Sequence, residues 1–305
     1  MSEGGERVRI LVLGTERSGT TWVARALASA DDAAYVHEPD NADANPLAAD
    51  AKRGLGLYPV LDAGEQVDGY ARLWDHAFAG GWPSRPSVAR VGAVVNRMPP
   101  VVRRLVAGAA ARVSRQRSRV PEIIVVKSVH APFAVSWLVE RYRPAVVVVR
   151  RDPLNVVASL IRLGTTPAGV EARYDALRHP AVRERYLERM GLEPPPSDEG
   201  MVYRLAWWIA FVERLLTDHA HREGWPVVSH DEMCASPVLE AQRLCDVLNV
   251  SDRVGVLRFI SASDRPGEGF STYRLTAEQP ERWKDVLDPS QVAQVQSAVA
   301  SLSRR

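Results

Sequence analysis

Gly14 and Gly19 enclose Thr15, Glu16, Arg17 and Ser18, and Thr20 and Thr21 follow. A G-x-x-x-x-G stretch between a strand and a helix is a loop whose backbone amides can wrap a phosphate. In the nucleoside-triphosphate version the next two residues are Lys and Ser/Thr, and the lysine reaches the β- and γ-phosphates. Thr20 stands at that lysine position here. The positive charge lies inside the loop instead, on Arg17, whose planar fork suits a tetrahedral oxyanion. A helix-capping turn would use similar residues; the strand before and the helix after favour an anion site.

A second cluster of chemistry follows another apolar run: Arg150-Arg151-Asp152-Pro153. Asp152 is a helix cap and Pro153 a first-turn residue, so local physics accounts for both. It does not account for two arginines closing a buried strand, which need an anionic partner such as a terminal phosphate. Lysine stands only at 52, 127 and 284, and Lys127 ends a third apolar run beside the expected anion site. Cys234 and Cys245 are too few for a disulfide framework and lack metal-ligand spacing, so they read as a buried, reduced pair. No metal cluster is evident.

The segment Thr15-Glu-Arg-Ser-Gly-Thr-Thr-Trp22 resembles the 5′-phosphosulfate-binding segment of the sulfotransferases, in particular bacterial enzymes of the carbohydrate and small-molecule type. Those enzymes use 3′-phosphoadenosine 5′-phosphosulfate (PAPS) as co-substrate, need no divalent metal and share a P-loop-kinase-like fold. The resemblance implies that Arg17, Ser18, Gly19, Thr20 and Thr21 hold the 5′-phosphosulfate and that Trp22 lies near the adenine. Taken alone, Trp22 reads equally as a core residue. The family's 3′-phosphate segment is a strand, then Arg-Asp/Asn-Pro, then Ser eight positions after the Arg, and Arg151 and Ser159 match it. A C-terminal arginine is also implied, with Arg274 favoured over Arg265. By the same resemblance Lys127 and Arg17 sit at the leaving oxygen. The base that takes the acceptor proton is Glu38, in His37-Glu38-Pro39, or His130, three residues after Lys127; His37 itself reads as structural. The resemblance is clearest over Arg9–Pro39, Ile123–Leu163 and Met201–Val250. It implies sulfuryl transfer to a hydroxyl of a sugar, glycolipid or secondary metabolite. A P-loop kinase and a catalytically inactive nucleotide-binding scaffold are the alternatives.

These residues need strands to aim them. Val8–Gly14, Ala34–His37, Ile123–Lys127, Ala145–Arg150 and Pro226–Ser229 read as short strands, the clearest of them continuous apolar runs of the kind found in parallel sheets. Helices are expected over Thr20–Ala30, Pro132–Arg141 and Leu154–Leu163. A longer one is expected over Val202–Ala220, where Val202, Leu205, Ile209, Val212 and Leu216 form one buried face. The pattern predicts an α/β fold of P-loop-kinase type: three layers, a mainly parallel sheet of about five strands, and helices on both faces. Residues 40–121, with Pro, Gly and an arginine block, and 165–200, with Pro167, Pro180 and Pro194–Pro196, break the rhythm, and both read as irregular insertions on the acceptor side of a single domain, 1–305.

The chain of 305 residues is 46% hydrophobic and 25% charged, with 39 basic and 37 acidic side chains, which excludes a disordered or collagen-like protein. From His76 to Pro121 there is no Asp or Glu, while Arg85, Arg90, Arg97, Arg103, Arg104, Arg112, Arg115, Arg117 and Arg119 all fall there. Such a block is a solvated helical face around Val101–Arg115, a dock for an anionic acceptor, or a peripheral membrane contact. Nucleic acid is not an expected partner. Met1–Arg9 is polar and charged, unlike a signal peptide, and the longest apolar runs are strand-length, so a cytoplasmic protein is expected.

Overall fold

The computed structural model describes residues 7–43, 45–81, 121–267 and 273–303. The arginine block and the helix expected around Val101–Arg115 lie outside these residues. Five strands form one sheet: β1 (Val8–Gly14), β2 (Ala33–His37), β3 (Ile123–Ser128), β4 (Ala145–Arg150) and β5 (Val227–Ser229), in the order β2-β3-β1-β4-β5. Every pairing is parallel, not merely most of them. The strands therefore end together, and the loops that follow Gly14, His37, Ser128 and Arg150 open on the same edge. β1 is central, flanked by β3 and β4. In open parallel sheets a ligand site forms beyond the carboxyl ends of such neighbouring strands.

The helices are α1 (Thr20–Leu27), α2 (Pro46–Ala51), α3 (Asp68–Ala77), α4 (Val135–Tyr142), α5 (Pro153–Arg162), α6 (Pro167–Tyr174), α7 (Met201–Glu223), α8 (His230–Ala235), α9 (Pro237–Val247), α10 (Arg253–Ser263) and α11 (Pro289–Ser303). Successive strand residues point to opposite faces, and the core divides accordingly. Leu11, Leu13, Ile124, Val126, Val146 and Val148 pack with α3 to α7 and α11. Ile10, Val12, Val125, Val147 and Val149 pack with α1 and α8 to α10. This is the three-layer α/β architecture expected of the sequence.

Three expectations are corrected. Helix α1 stops at Leu27 rather than Ala30. The stretch 165–200 is largely helical: Pro167 and Pro180 sit in the first turns of helical segments, where a missing N–H costs nothing, and 3-10 and π turns fill Asp175–Arg178 and Arg183–Glu188. Helix α7 is not buried along one face only. Arg204, Trp207, Trp208, Phe211, Leu215 and His219 are buried beside the five predicted positions, because α7 lies between the sheet and the outer elements α6 and α11. No described helix is long and apolar enough to cross a membrane.

Candidate active site

The loop after β1 is a backbone cradle that requires both glycines. A Cβ on Gly14 would lie 2.4 Å from the Val149 carbonyl oxygen. Gly19 has φ +96°, and a Cβ there would lie 2.3 Å from Cδ2 of His230. Gly19 precedes α1, no side chain caps that helix and no acidic residue occupies its first turn. Its leading amides and dipole are therefore available to an anion. Ser18 is fully buried, and its hydroxyl donates to the Thr15 carbonyl at 2.8 Å, so that side chain shapes the loop. Thr20 is buried, and Thr21 is half-buried beside Tyr35.

The two predicted anion segments meet. Arg17 Nε donates to Ser159 Oγ at 2.9 Å, and Arg151 Nη1 donates to the Arg17 carbonyl at 3.3 Å. Arg151 Nη2 donates to the Gln279 carbonyl at 3.4 Å, while its Nε is buried without a partner. Burial lowers the affinity of both guanidiniums for their protons. A buried, unspent guanidinium N–H favours an oxyanion. As expected, Asp152 caps α5 by accepting from Leu154 N–H at 2.7 Å, with Pro153 in the first turn. Asn155 docks the C-terminal segment on α5, donating to the Pro280 carbonyl at 2.8 Å and accepting from Trp283 N–H at 3.2 Å.

Across β1, Lys127 and Glu38 form a buried ion pair through Lys127 Nζ and Glu38 Oε1. The sheet dictates it: His37 is in register with Lys127, and Glu38 N–H donates to the Lys127 carbonyl at 2.7 Å. Glu38 Oε2 accepts from Asn41 Nδ2 at 2.6 Å. Burial alone would raise the Glu38 carboxyl, but Lys127 and the nearby imidazoles outweigh it and hold the group well below the usual carboxylate range. Both Arg17, at φ 66°, and Glu38, at φ 42°, have left-handed backbones. Such strain in non-glycine residues persists where surroundings over-determine it, commonly at functional sites. His130 is buried, its Nδ1 unpartnered and its ring 5.7 Å from that of Tyr58. His37 is partly exposed and bonds Tyr35 through Nδ1 at 2.8 Å.

Trp22 lies in the core of the α1 face, and its indole N–H donates to Ser263 Oγ at 2.8 Å. Ser263 also gathers both C-terminal candidates, because its carbonyl accepts from the backbone amides of Arg265 and Arg274. The Arg265 guanidinium lies over the Tyr273 ring at 3.8 Å, and Arg274 Nη1 donates to the Tyr273 carbonyl at 2.5 Å. Arg17, Glu38, Lys127, His130, Arg151 and Ser159 are thus gathered at the carboxyl edge of the sheet, with Arg274 held beyond Trp22.

Sequence reasoning missed several partners. His230 packs against Gly19 and edge-on to Trp22, 6.0 Å between centroids. Cys234, whose thiol burial pushes up to about 12, lies 3.6 Å from His230 Nδ1. Asp40, fully buried, accepts from Ser128 Oγ at 2.8 Å and Tyr70 O–H at 3.2 Å, and Ser128 Oγ in turn accepts from His130 N–H at 3.0 Å. The Asp40 carbonyl accepts from Lys52 Nζ at 3.1 Å. The buried lysine at 52 was the available signal; nothing local marked Asp40. Among the described residues no group of three or more His, Cys, Asp or Glu side chains is placed to hold a metal ion.

No protein-family model and no curated protein matches this chain. Among solved structures it is similar to a sulfotransferase domain from the curacin biosynthetic pathway, at 13% identity and TM-score 0.46 over 98% of each chain. It is also similar to a sulfotransferase domain from the Synechococcus PCC 7002 olefin synthase, at 13% identity and TM-score 0.43, covering 100% of this chain and 98% of that one.

Proposed function

We propose that the chain is a sulfotransferase that moves the sulfuryl group of PAPS to an acceptor hydroxyl. The observation that carries this reading is the junction of the two anion segments. Arg17, in the loop after β1, bonds Ser159 and is bonded by Arg151, whose Nε is left buried and unspent. Adjacent cradles for two oxyanions suit a nucleotide with anionic groups at both its 5′ and 3′ positions. On this reading the loop amides and Arg17 take the 5′ end, and Arg151 and Ser159 the 3′-phosphate.

In the transfer, the acceptor oxygen forms a bond to sulfur as the bond from sulfur to the bridging oxygen breaks. The acceptor proton passes to a base, and adenosine bisphosphate leaves. Negative charge grows on the bridging oxygen, so a cation there lowers the barrier. Lys127 and Arg17 supply it. Glu38 stays ionised at working pH but is a weak base while Lys127 neutralises it. An anionic donor drawing Lys127 away would raise the basicity of Glu38 at the moment a base is needed. Asp40 and Ser128 fix the backbone that carries His130, the other base candidate.

Calorimetric binding of 3′,5′-adenosine bisphosphate, beside ATP with magnesium, tests the reading on wild type and Arg151→Ala. The bisphosphate should bind the wild type and lose about ten- to a hundredfold in affinity in the variant, the worth of charge-assisted hydrogen bonds. A preference for magnesium ATP would overturn it in favour of a kinase.

A further inference from the structure

An acidic side chain inside an oxyanion-binding loop repels the ligand unless its charge is neutralised. Glu16 is the acid between Gly14 and Gly19, and its carboxylate is fully engaged. Oε2 accepts from Arg173 Nε at 3.2 Å and Nη2 at 2.8 Å, and Oε1 accepts from Tyr58 O–H at 2.9 Å. Arg173 belongs to α6 and also donates Nη1 to the Gly169 carbonyl at 2.6 Å. Tyr58 lies in the stretch between α2 and α3, buried, with its ring 4.8 Å from that of Trp208 and 5.7 Å from that of His130. One carboxylate thus joins the loop to a segment from each of the two regions that break the strand–helix rhythm.

We propose that Glu16 is a positioning residue that couples the donor loop to both acceptor-side segments, so that filling the loop orders Tyr58 and α6 before the acceptor is engaged. This rests on the reading of the loop as the donor site. The next residue, Arg17, has φ 66° and is held from its other side by Ser159. The loop is thereby gripped at a strained residue and at the residue before it, so a shift there is passed to the segments that hold them. Tyr58 passes the constraint to His130 through ring contact.

Amide hydrogen exchange over 53–61 and 167–174, with and without 3′,5′-adenosine bisphosphate, tests this on wild type, Glu16→Gln, Arg173→Gln and Arg173→Lys. Strand β3 serves as the internal reference for folding. In the wild type the bisphosphate should slow exchange in both segments by about tenfold, the scale set by one charge-assisted hydrogen bond on local opening. In Glu16→Gln the bisphosphate should still bind while the protection disappears. Arg173→Gln, which leaves the Glu16 charge unpaired in the loop, should bind it more weakly and, at saturation, likewise show no protection, and Arg173→Lys should restore part of both. If Glu16→Gln loses β3 protection, the two Arg173 variants carry the test from the other end of the contact. Protection that survives Glu16→Gln or Arg173→Gln, or that never reaches the two segments in the wild type, overturns the coupling. Failure of the wild type to bind the bisphosphate in the calorimeter would instead overturn the donor reading, and the ordering with it.

Discussion

Lys127 and Glu38 are each expensive to bury alone, and each is buried because the other is there. Removing one partner leaves an uncompensated charge, which costs about 3–5 kcal/mol, whereas removing both with groups of similar size is close to neutral. Urea denaturation should therefore show Lys127→Met and Glu38→Gln each strongly destabilised and the double variant more stable than either. The pair also sets an acid limit. The Glu38 carboxyl is held below its ordinary range, so its contribution is complete above that range and is lost as pH falls through the lowered value. In turnover, Lys127→Ala should lower kcat by about 10²–10³, the usual scale for removing one donor at a developing negative charge. Unchanged PAPS hydrolysis in Lys127→Ala would instead indicate a binding scaffold.

At the scale of elements, the start of α1 depends on one glycine for two separate reasons. Gly19 takes a backbone angle that disfavours side chains, and it lies against the ring of His230 on α8. Gly19→Ala should cost about 2–4 kcal/mol, combining backbone strain and overpacking. Adding His230→Ala should return part of that loss, because it removes the clash but not the positive φ. Thermal melts of the two single variants and the double would separate the terms. Elements such as α1 were legible because their signals are local: an apolar run, a glycine turn, then helix formers. The prolines at 167 and 180 misled for the same reason. A breaker inside a helix and a first-turn residue look alike until the N–H they lack is seen to have no acceptor waiting.

Across the whole molecule, helix α7 carries two titratable groups, the half-buried Glu213 and the buried His219, whose effects on stability oppose each other. Burial raises the Glu213 carboxyl to about 7, against the pull of Arg150. The folded state then keeps a proton that the unfolded chain gives up, so stability falls as pH rises from about 4.5 to 7. Burial lowers the His219 imidazole to about 4, so stability falls as pH drops from about 6.5 to 4. Each group is worth about 3 kcal/mol at most across its window. Urea titrations across pH 4–8 should show Glu213→Gln steepening the rise of stability with pH and gaining over wild type above pH 7. His219→Phe, which keeps an aromatic ring against Trp225, should weaken the loss on acidification.

The sequence by itself determined the five strands within a residue or two, the glycine loop and the Asp152–Pro153 helix start. Those are properties of short stretches: side-chain periodicity, φ restrictions and caps act over a few residues. It could not determine which strand lies beside which. The order β2-β3-β1-β4-β5 decides that Glu38 faces Lys127 and that Arg17 reaches Ser159. The Glu16–Arg173 contact spans 157 positions and has no local signal at either end. Those pairings exist only once the parallel sheet aligns the strand ends, because burial and charge neutralisation are satisfied by whatever side chain the fold brings near.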